Sequence, residues 1–224
     1  MKDKIVIMGG GGHGKVIIST IRKLDNYEIL GYTDLINKGL LLGVKYLGTD
    51  EVLPDIIKEH KNCKAVIGIG SIKISDKRQK IYKMLKETGF DLPVIISKDA
   101  IINEEVSIGE GTIILERTVL NVSARIGKCS IVNTCAVIEH DCKVGDFVHL
   151  AGGAILGGGV EVGDNSIIGV GAKVIQYKKI GKNCLIGAGS IVLKDTVSEG
   201  TYFGVPARRF TLNNSINLNG KEFL

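Results

Sequence analysis

Two unlike halves are predicted for this 224-residue chain. Residues 1–98 read as an α/β unit with a small parallel sheet, residues 99–210 as an all-β solenoid, and 211–224 as a tail. Three observations carry this. Aliphatic runs alternate with amphipathic stretches as far as residue 98. From Ala100 an aliphatic residue recurs at every sixth position. The composition, with 30 glycines, 3 prolines and no tryptophan, suits tight, repeated backbone corners.

In the first half, residues 4–8 (KIVIM) read as a buried strand. GGGGHG follows, then a helix whose face carries Ile17, Ile21 and Leu24. Residues 27–32 are a second strand leading to Asp34, and a short helix is expected over 50–60. Residues 64–69 (KAVIGI) are a third strand closing on Gly70. Residues 75–88 are a helix with Ser75 as N-cap, Ile81, Met84 and Leu85 on one face, and Gly89 just past the end. Residues 92–96 are expected as the last strand of the same sheet. This alternation predicts a parallel α/β layer.

In the second half the chain divides into sixes without insertion, from AIINEE at 100–105 to SIVLKD at 190–195. The third place is Ile, Leu or Val in all sixteen hexads. A period of six is neither 2 nor 3.6. It fits a coil whose side turns every six residues and sends one aliphatic inward per side. Three sides make a turn of 18 residues, and coils stack at strand spacing, roughly 4.8 Å. Residues eighteen apart therefore lie nearly on top of one another, and each coil buries its apolar side only against the next.

Gly9, Gly11 and Gly14 match G-x-G-x-x-G between a strand and a helix, with Asp34 closing the next strand. Such glycines let backbone N–H groups approach phosphate at a helix N-terminus, as in a Rossmann-like unit. Fewer than a hundred residues hold only one mononucleotide half, which favours a nucleotide-linked substrate over NAD(P). A purely structural tight turn is the bland alternative. His13 falls where a pyrophosphate would lie.

His140, between Glu139 and Asp141, is fifth in its hexad, AVIEHD, and is expected on the outward side of a corner. Either acid can fix its tautomer and raise its basicity. Eighteen residues on lies Gly158, whose bare N–H can hold an oxyanion. A base with an oxyanion donor and no Ser or Cys nucleophile suggests direct acyl transfer between two bound substrates. The competing reading is a solvated surface histidine.

Net charge is +5, from 29 basic and 24 acidic residues with no long charge block, which argues against nucleic acid. No run approaches the roughly 20 apolar residues of a membrane span. The first eight residues read as a strand rather than a signal peptide, so a cytoplasmic protein is expected. Cys63, Cys129, Cys135, Cys142 and Cys184 form no C-x-x-C and read as small buried thiols. No metal is expected.

The hexads resemble those of the hexapeptide-repeat acyltransferases. Residues 1–210 resemble one branch: the bacterial nucleotide-4-amino-sugar N-acetyltransferases and sialic-acid O-acetyltransferases of the PglD/NeuD type. The matching pieces are GGGGHGKV at the N-terminus, Gly-Tyr-Thr-Asp at 31–34, IGIG at 67–70, NTCAVIEHDCKVGDFVHLAGGA at 133–154 and GVPARR at 204–209. The resemblance implies a left-handed parallel β-helix that binds acetyl-CoA, an α/β domain that binds the nucleotide-sugar, and a homotrimer. It implies His140 as general base, Asp141 as its acid (often Glu in relatives), and Gly158 near the thioester carbonyl. His149 falls close to the thioester, and Val170 and Ala188 beside the pantetheine arm. Asn133 faces the sugar, while Gly11, Gly12, His13, Asp34, Gly70 and Arg78 fall on the sugar-nucleotide site. Relatives commonly carry two consecutive acids where this chain has Asp34-Leu35. The expected activity is N-acetylation of the 4-amine of a UDP-type deoxyamino sugar. O-acetylation of a sialic acid and a non-catalytic trimeric binding protein are the alternatives.

Overall fold

The computed structural model describes residues 2–210; the tail at 211–224 lies outside the described residues. The first half contains β1 (Asp3–Met8), α1 (Gly12–Leu24), β2 (Tyr27–Thr33), β3 (Tyr46–Gly48), α2 (Leu53–Glu59), β4 (Lys64–Ile67) and α3 (Lys77–Thr88). The strands form one parallel sheet in the order β3-β2-β1-β4. Ile5 and Ile7 face α1, packing on Ile17, Ile18 and Ile21. Val6 and Met8 face α3 with Leu85 and Phe90. Ser75 does not cap α3: the N-cap residue is Asp76, without a side-chain cap bond, while Gly89 closes the helix in the left-handed region as expected (φ 100°). β3 is too short to show a period in the sequence.

The second half is a left-handed parallel β-helix of two-residue strands. It has three walls. The docked wall, beneath the α/β unit, stacks Ile113–Ile114, Ile131–Val132, His149–Leu150, Ile167–Ile168 and Leu185–Ile186. An apolar wall stacks Ile101–Ile102, Val119–Leu120, Val137–Ile138, Ile155–Leu156, Lys173–Val174 and Ile191–Val192. A charged wall stacks Ser107–Ile108, Arg125–Ile126, Lys143–Val144, Glu161–Val162 and Lys179–Ile180. Each of these stacked pairs joins residues eighteen apart, such as Val137 with Ile155, while the closing strand at Thr201 pairs with Leu185 sixteen residues back.

Residues 92–96 were expected in the α/β sheet. Instead, β5 (Ile95–Ile96) pairs with Ile113–Ile114 and begins the docked wall. The hexad register extends one unit earlier than Ala100, because Ile95 is itself eighteen residues before Ile113.

Third-place aliphatics such as Leu120, Val132, Ile138, Leu156 and Ile186 are wholly buried. First-place residues share that core: Ala124, Ala136, Ala154, Ala172 and Cys184 are buried with them, which explains their size. The fourth-place glycine allows coils to approach closely. A Cβ on Gly145 would fall 2.4 Å from the Asp164 carboxylate of the next coil. The sixth place takes the left-handed region coil after coil, at Cys135, Asp141, Phe147, Asn165 and Tyr177. The GVPARR piece forms a closing hairpin, Thr201–Gly204 with Ala207–Arg209.

The two halves share buried surface. Ile113 and Leu115 join the α1 face of the core, and Cys129 and Phe147 join the α3 face. Thr20 donates to Glu116 (3.2 Å), and Lys23 pairs with the same carboxylate (3.2 Å).

Candidate functional site

His140 sits where the chain leaves the apolar wall for the charged wall. Asp141 takes the left-handed conformation there (φ 59°), which Asp tolerates better than most residues. The turn folds its carboxylate back so that Oδ2 lies 2.8 Å from His140 Nδ1. The shorter acid of this chain therefore reaches the imidazole. Glu139 is engaged elsewhere: it accepts from Asn121 Nδ2 (2.8 Å), and Asn121 Oδ1 accepts from Asn103 (2.9 Å). Asp141 is thus the acid that orients the ring, favouring a proton on Nδ1 and leaving Nε2 with its lone pair.

Gly158 lies directly against that nitrogen. A Cβ built on Gly158 would be 2.5 Å from His140 Nε2. The peptides interlock, since Gly159 N–H donates to His140 O (2.8 Å) and Tyr177 N–H donates to Gly158 O (2.9 Å). The N–H of Gly158 itself makes no hydrogen bond among the described residues. A basic nitrogen and an unused amide donor thus share one corner, the pairing needed to take a proton and hold a developing oxyanion.

A second group occupies the other edge of the apolar wall. His149 projects from the docked wall, with Nδ1 2.6 Å from Ser71 O and Nε2 3.4 Å from Asn133 Nδ2. Burial lowers its pKa; the Ser71 carbonyl opposes this, and the Arg78 charge adds to it. Val170 (64% exposed) and the exposed Ala188 are fifth-place residues at this edge, on successive coils. One side of six residues spans up to about 20 Å. Within a single chain, His140 and Gly158 lie at the edge where the apolar wall meets the charged wall, and Asn133, His149, Val170 and Ala188 lie on the docked-wall side.

A third group lines a cavity of about 570 Å³ in the α/β unit. Gly11, Gly12, His13, Asp34 and Gly70 are all on its wall. Gly11 and Gly12 leave open space where a side chain would stand. Asp34 Oδ2 accepts the Gly10 N–H (2.7 Å) and pairs with Lys38 (3.0 Å). Partial burial opposes its charge, but these bonds outweigh burial and hold the carboxyl below the usual carboxylate range. Arg78 is not on the wall. It is buried and donates to Ile69 O and to Cys129 O (2.9 Å). Lys38, Lys77 and Asp50 are wall residues without a motif to announce them.

His13 Nε2 is buried without a hydrogen-bond partner among the described residues. Burial, then the nearby Arg78 charge and His149, push its pKa down to about 3. The folded state keeps this ring neutral where the unfolded chain protonates it. Its stability contribution is therefore full above the ordinary histidine pKa and is lost as pH falls toward 3, by about 1.4 kcal/mol per pH unit. Thermal melts between pH 7 and 4 should show a steep fall for wild type and a shallower one for His13→Gln. Equal slopes would mean that His13 titrates normally.

Among the described residues no cluster of three potential metal ligands occurs. No helix among them is long and apolar enough to cross a membrane.

Comparison with known proteins bears on this geometry. The profile of the PglD N-terminal domain matches residues 4–85. The perosamine N-acetyltransferase PerB of Caulobacter crescentus, solved with CoA and GDP-perosamine, is 33% identical, with 93% of this chain and 97% of that one covered at a TM-score of 0.87. The acetyltransferase domain of PglB from Neisseria gonorrhoeae, solved with acetyl coenzyme A, is 31% identical over 94% of this chain and 100% of that one, also at 0.87. WeeI from Acinetobacter baumannii is 28% identical over 93% and 100% of the two chains, at 0.83. Comparison with curated protein sequences finds no match. Sharing its fold and about a third of its residues with such proteins along nearly its whole length, the chain is an acetyltransferase and belongs to the family of PglD-type sugar N-acetyltransferases.

Proposed function

We propose that the protein transfers the acetyl group of acetyl-CoA to the 4-amine of a UDP-type nucleotide-linked deoxyamino sugar, as a cytoplasmic homotrimer. The observation that carries this is the His140 corner: an imidazole oriented by Asp141 at 2.8 Å, lying on a glycine whose amide has no partner among the described residues. The neutral amine attacks the thioester carbonyl. His140 Nε2 takes the proton released as the C–N bond forms, while Gly158 N–H holds the oxyanion. The C–S bond breaks, and the proton passes to the departing CoA sulfur, which restores the base.

The glycine-lined cavity, with His13 and two lysines on its wall, suits a diphosphate. Relatives support the substrate pairing, one with CoA and GDP-perosamine, another with acetyl-CoA. Thiol release from acetyl-CoA should be measured with UDP-, GDP- and dTDP-linked 4-amino sugars and with free and CMP-linked sialic acid. Release with the UDP-amino sugars at the highest kcat/KM is expected. Preference for a GDP-sugar would correct the base, preference for sialic acid would move the reading to O-acetylation, and no release with any acceptor would leave a binding protein.

The two separated edges support the trimer. Between them the apolar wall turns Ile101 (56% exposed), Val119, Val137 and Ile155 outward, broken only by Lys173 before Ile191. The charged wall presents Arg125, Lys143, Glu161 and Lys179 at the same places. Apolar walls packed around a threefold axis bring His140 of one copy to the Val170–Ala188 edge of the next, completing a site that one chain lacks. Val137→Asp should therefore yield monomers in sedimentation equilibrium and abolish turnover. A trimer that survives this change would place the interface elsewhere.

A further inference from the structure

We propose that Arg78 is a positioning residue: it latches the loop carrying Ile69 and Ser71 onto the β-helix, so that Ser71 O holds the Nδ1–H of His149 and leaves Nε2 as a hydrogen-bond acceptor toward the acceptor sugar. Arg78 is 5% exposed and bridges the two halves, donating to Ile69 O on one side and to Cys129 O on the other. It has no acidic partner among its hydrogen bonds or ion pairs in the described residues. Burying a guanidinium without a carboxylate is unfavourable, and an apolar side chain would serve mere packing better. What only Arg supplies here is a planar fork of donors that ties two carbonyls together.

The tautomer of His149 is set from both ends. Asn133 Oδ1 accepts the Thr134 N–H (2.8 Å), so its Nδ2 is the group that faces His149. Since Nδ2 can only donate, Nε2 at 3.4 Å must accept, and the ring proton must sit on Nδ1. That proton points at Ser71 O, 2.6 Å away. Ser71 is two residues beyond Ile69, whose carbonyl Arg78 holds. The Asn133 contact is long, so a donor on the bound sugar, an amine or a hydroxyl, can replace it at Nε2. In the other tautomer the ring would present N–H to that donor and repel it. Ile69 and Gly70 also line the nucleotide cavity, so one loop both closes the cavity and fixes the imidazole.

The kinetic arm of the test rests on the reaction proposed above; the spectroscopic arm does not. Full-length protein labelled with ¹⁵N at its four histidines reports by two-bond ¹H–¹⁵N correlation which ring nitrogen is protonated, with His149→Gln assigning the signal. Wild type should show a single Nδ1–H tautomer at His149, Arg78→Met a mixture, and Arg78→Lys a partial return. In Arg78→Met, kcat/KM for the acceptor should fall roughly 10- to 100-fold, as for a misplaced reacting group, while KM for acetyl-CoA stays put. A single tautomer in Arg78→Met, or unchanged acceptor kinetics, overturns the latch. If Arg78→Met does not fold, Arg78→Lys decides by the same two readouts. If wild type turns over no sugar, the proposed function falls, and the tautomer measurement still decides the latch.

Discussion

His140→Ala should lower kcat by at least about a hundredfold, the smaller end of what a positioned base supplies, while the fold and KM for acetyl-CoA stay as they are. The ring is half-exposed (51% of the side chain) and leans on a glycine rather than on core residues, so removing it opens no cavity. Its neighbours along the chain are held independently, Glu139 by Asn121 and the His140 carbonyl by Gly159 N–H. A loss of rate without a loss of melting temperature therefore isolates proton transfer. Stopped assays of thiol release against thermal melts separate the two. A variant that keeps more than a third of wild-type turnover removes His140 from the mechanism.

Gly158→Ala should be nearly as damaging for a different reason. Gly158 does not occupy the left-handed region, so alanine suits the backbone, and the unfolded state even loses some entropy. The nearest obstacle is the imidazole, with Nε2 2.5 Å from the new methyl group. The ring can yield, because it is the free end of a side chain. It yields by leaving the amide it covers, and by straining its 2.8 Å contact with Asp141. A shift on the order of 1 Å costs about a hundredfold in rate. Stability should be unchanged or slightly raised, and acetyl-CoA should still bind in calorimetry. Wild-type activity in this variant would mean that the stacked pair is incidental.

Much of the architecture was legible because stacking coils impose the same steric demand at every turn. Third-place aliphatics fill one interior and first-place small residues fill its corners, so the period shows in side chains. The pairing of His140 with Gly158 follows from that period alone. The sixth place was invisible, although it sets every corner: Glu, Arg, Cys, Asp, Phe and Tyr all take the left-handed region there, because the coil dictates the backbone whatever the side chain. The start of the β-helix at Ile95 was missed because a two-residue strand in a parallel α/β context looks like any other aliphatic pair. Ser71 could not be found at all, since it acts through a carbonyl that every residue possesses. Arg78 was named only through the family resemblance, which put it on the sugar-nucleotide site; the structure shows it spent on two backbone oxygens rather than lining the cavity.

Because His140 and Gly158 meet only across an offset of eighteen residues, length in this half is quantised. One residue added between them would slide the imidazole off its amide and turn every later aliphatic outward. A whole extra turn spliced in beyond Tyr177 would leave the pair untouched and merely lengthen the prism. Homologous proteins should therefore differ here by complete rungs or by bulges that rejoin the register, and tags or sensor modules should be grafted at such bulges.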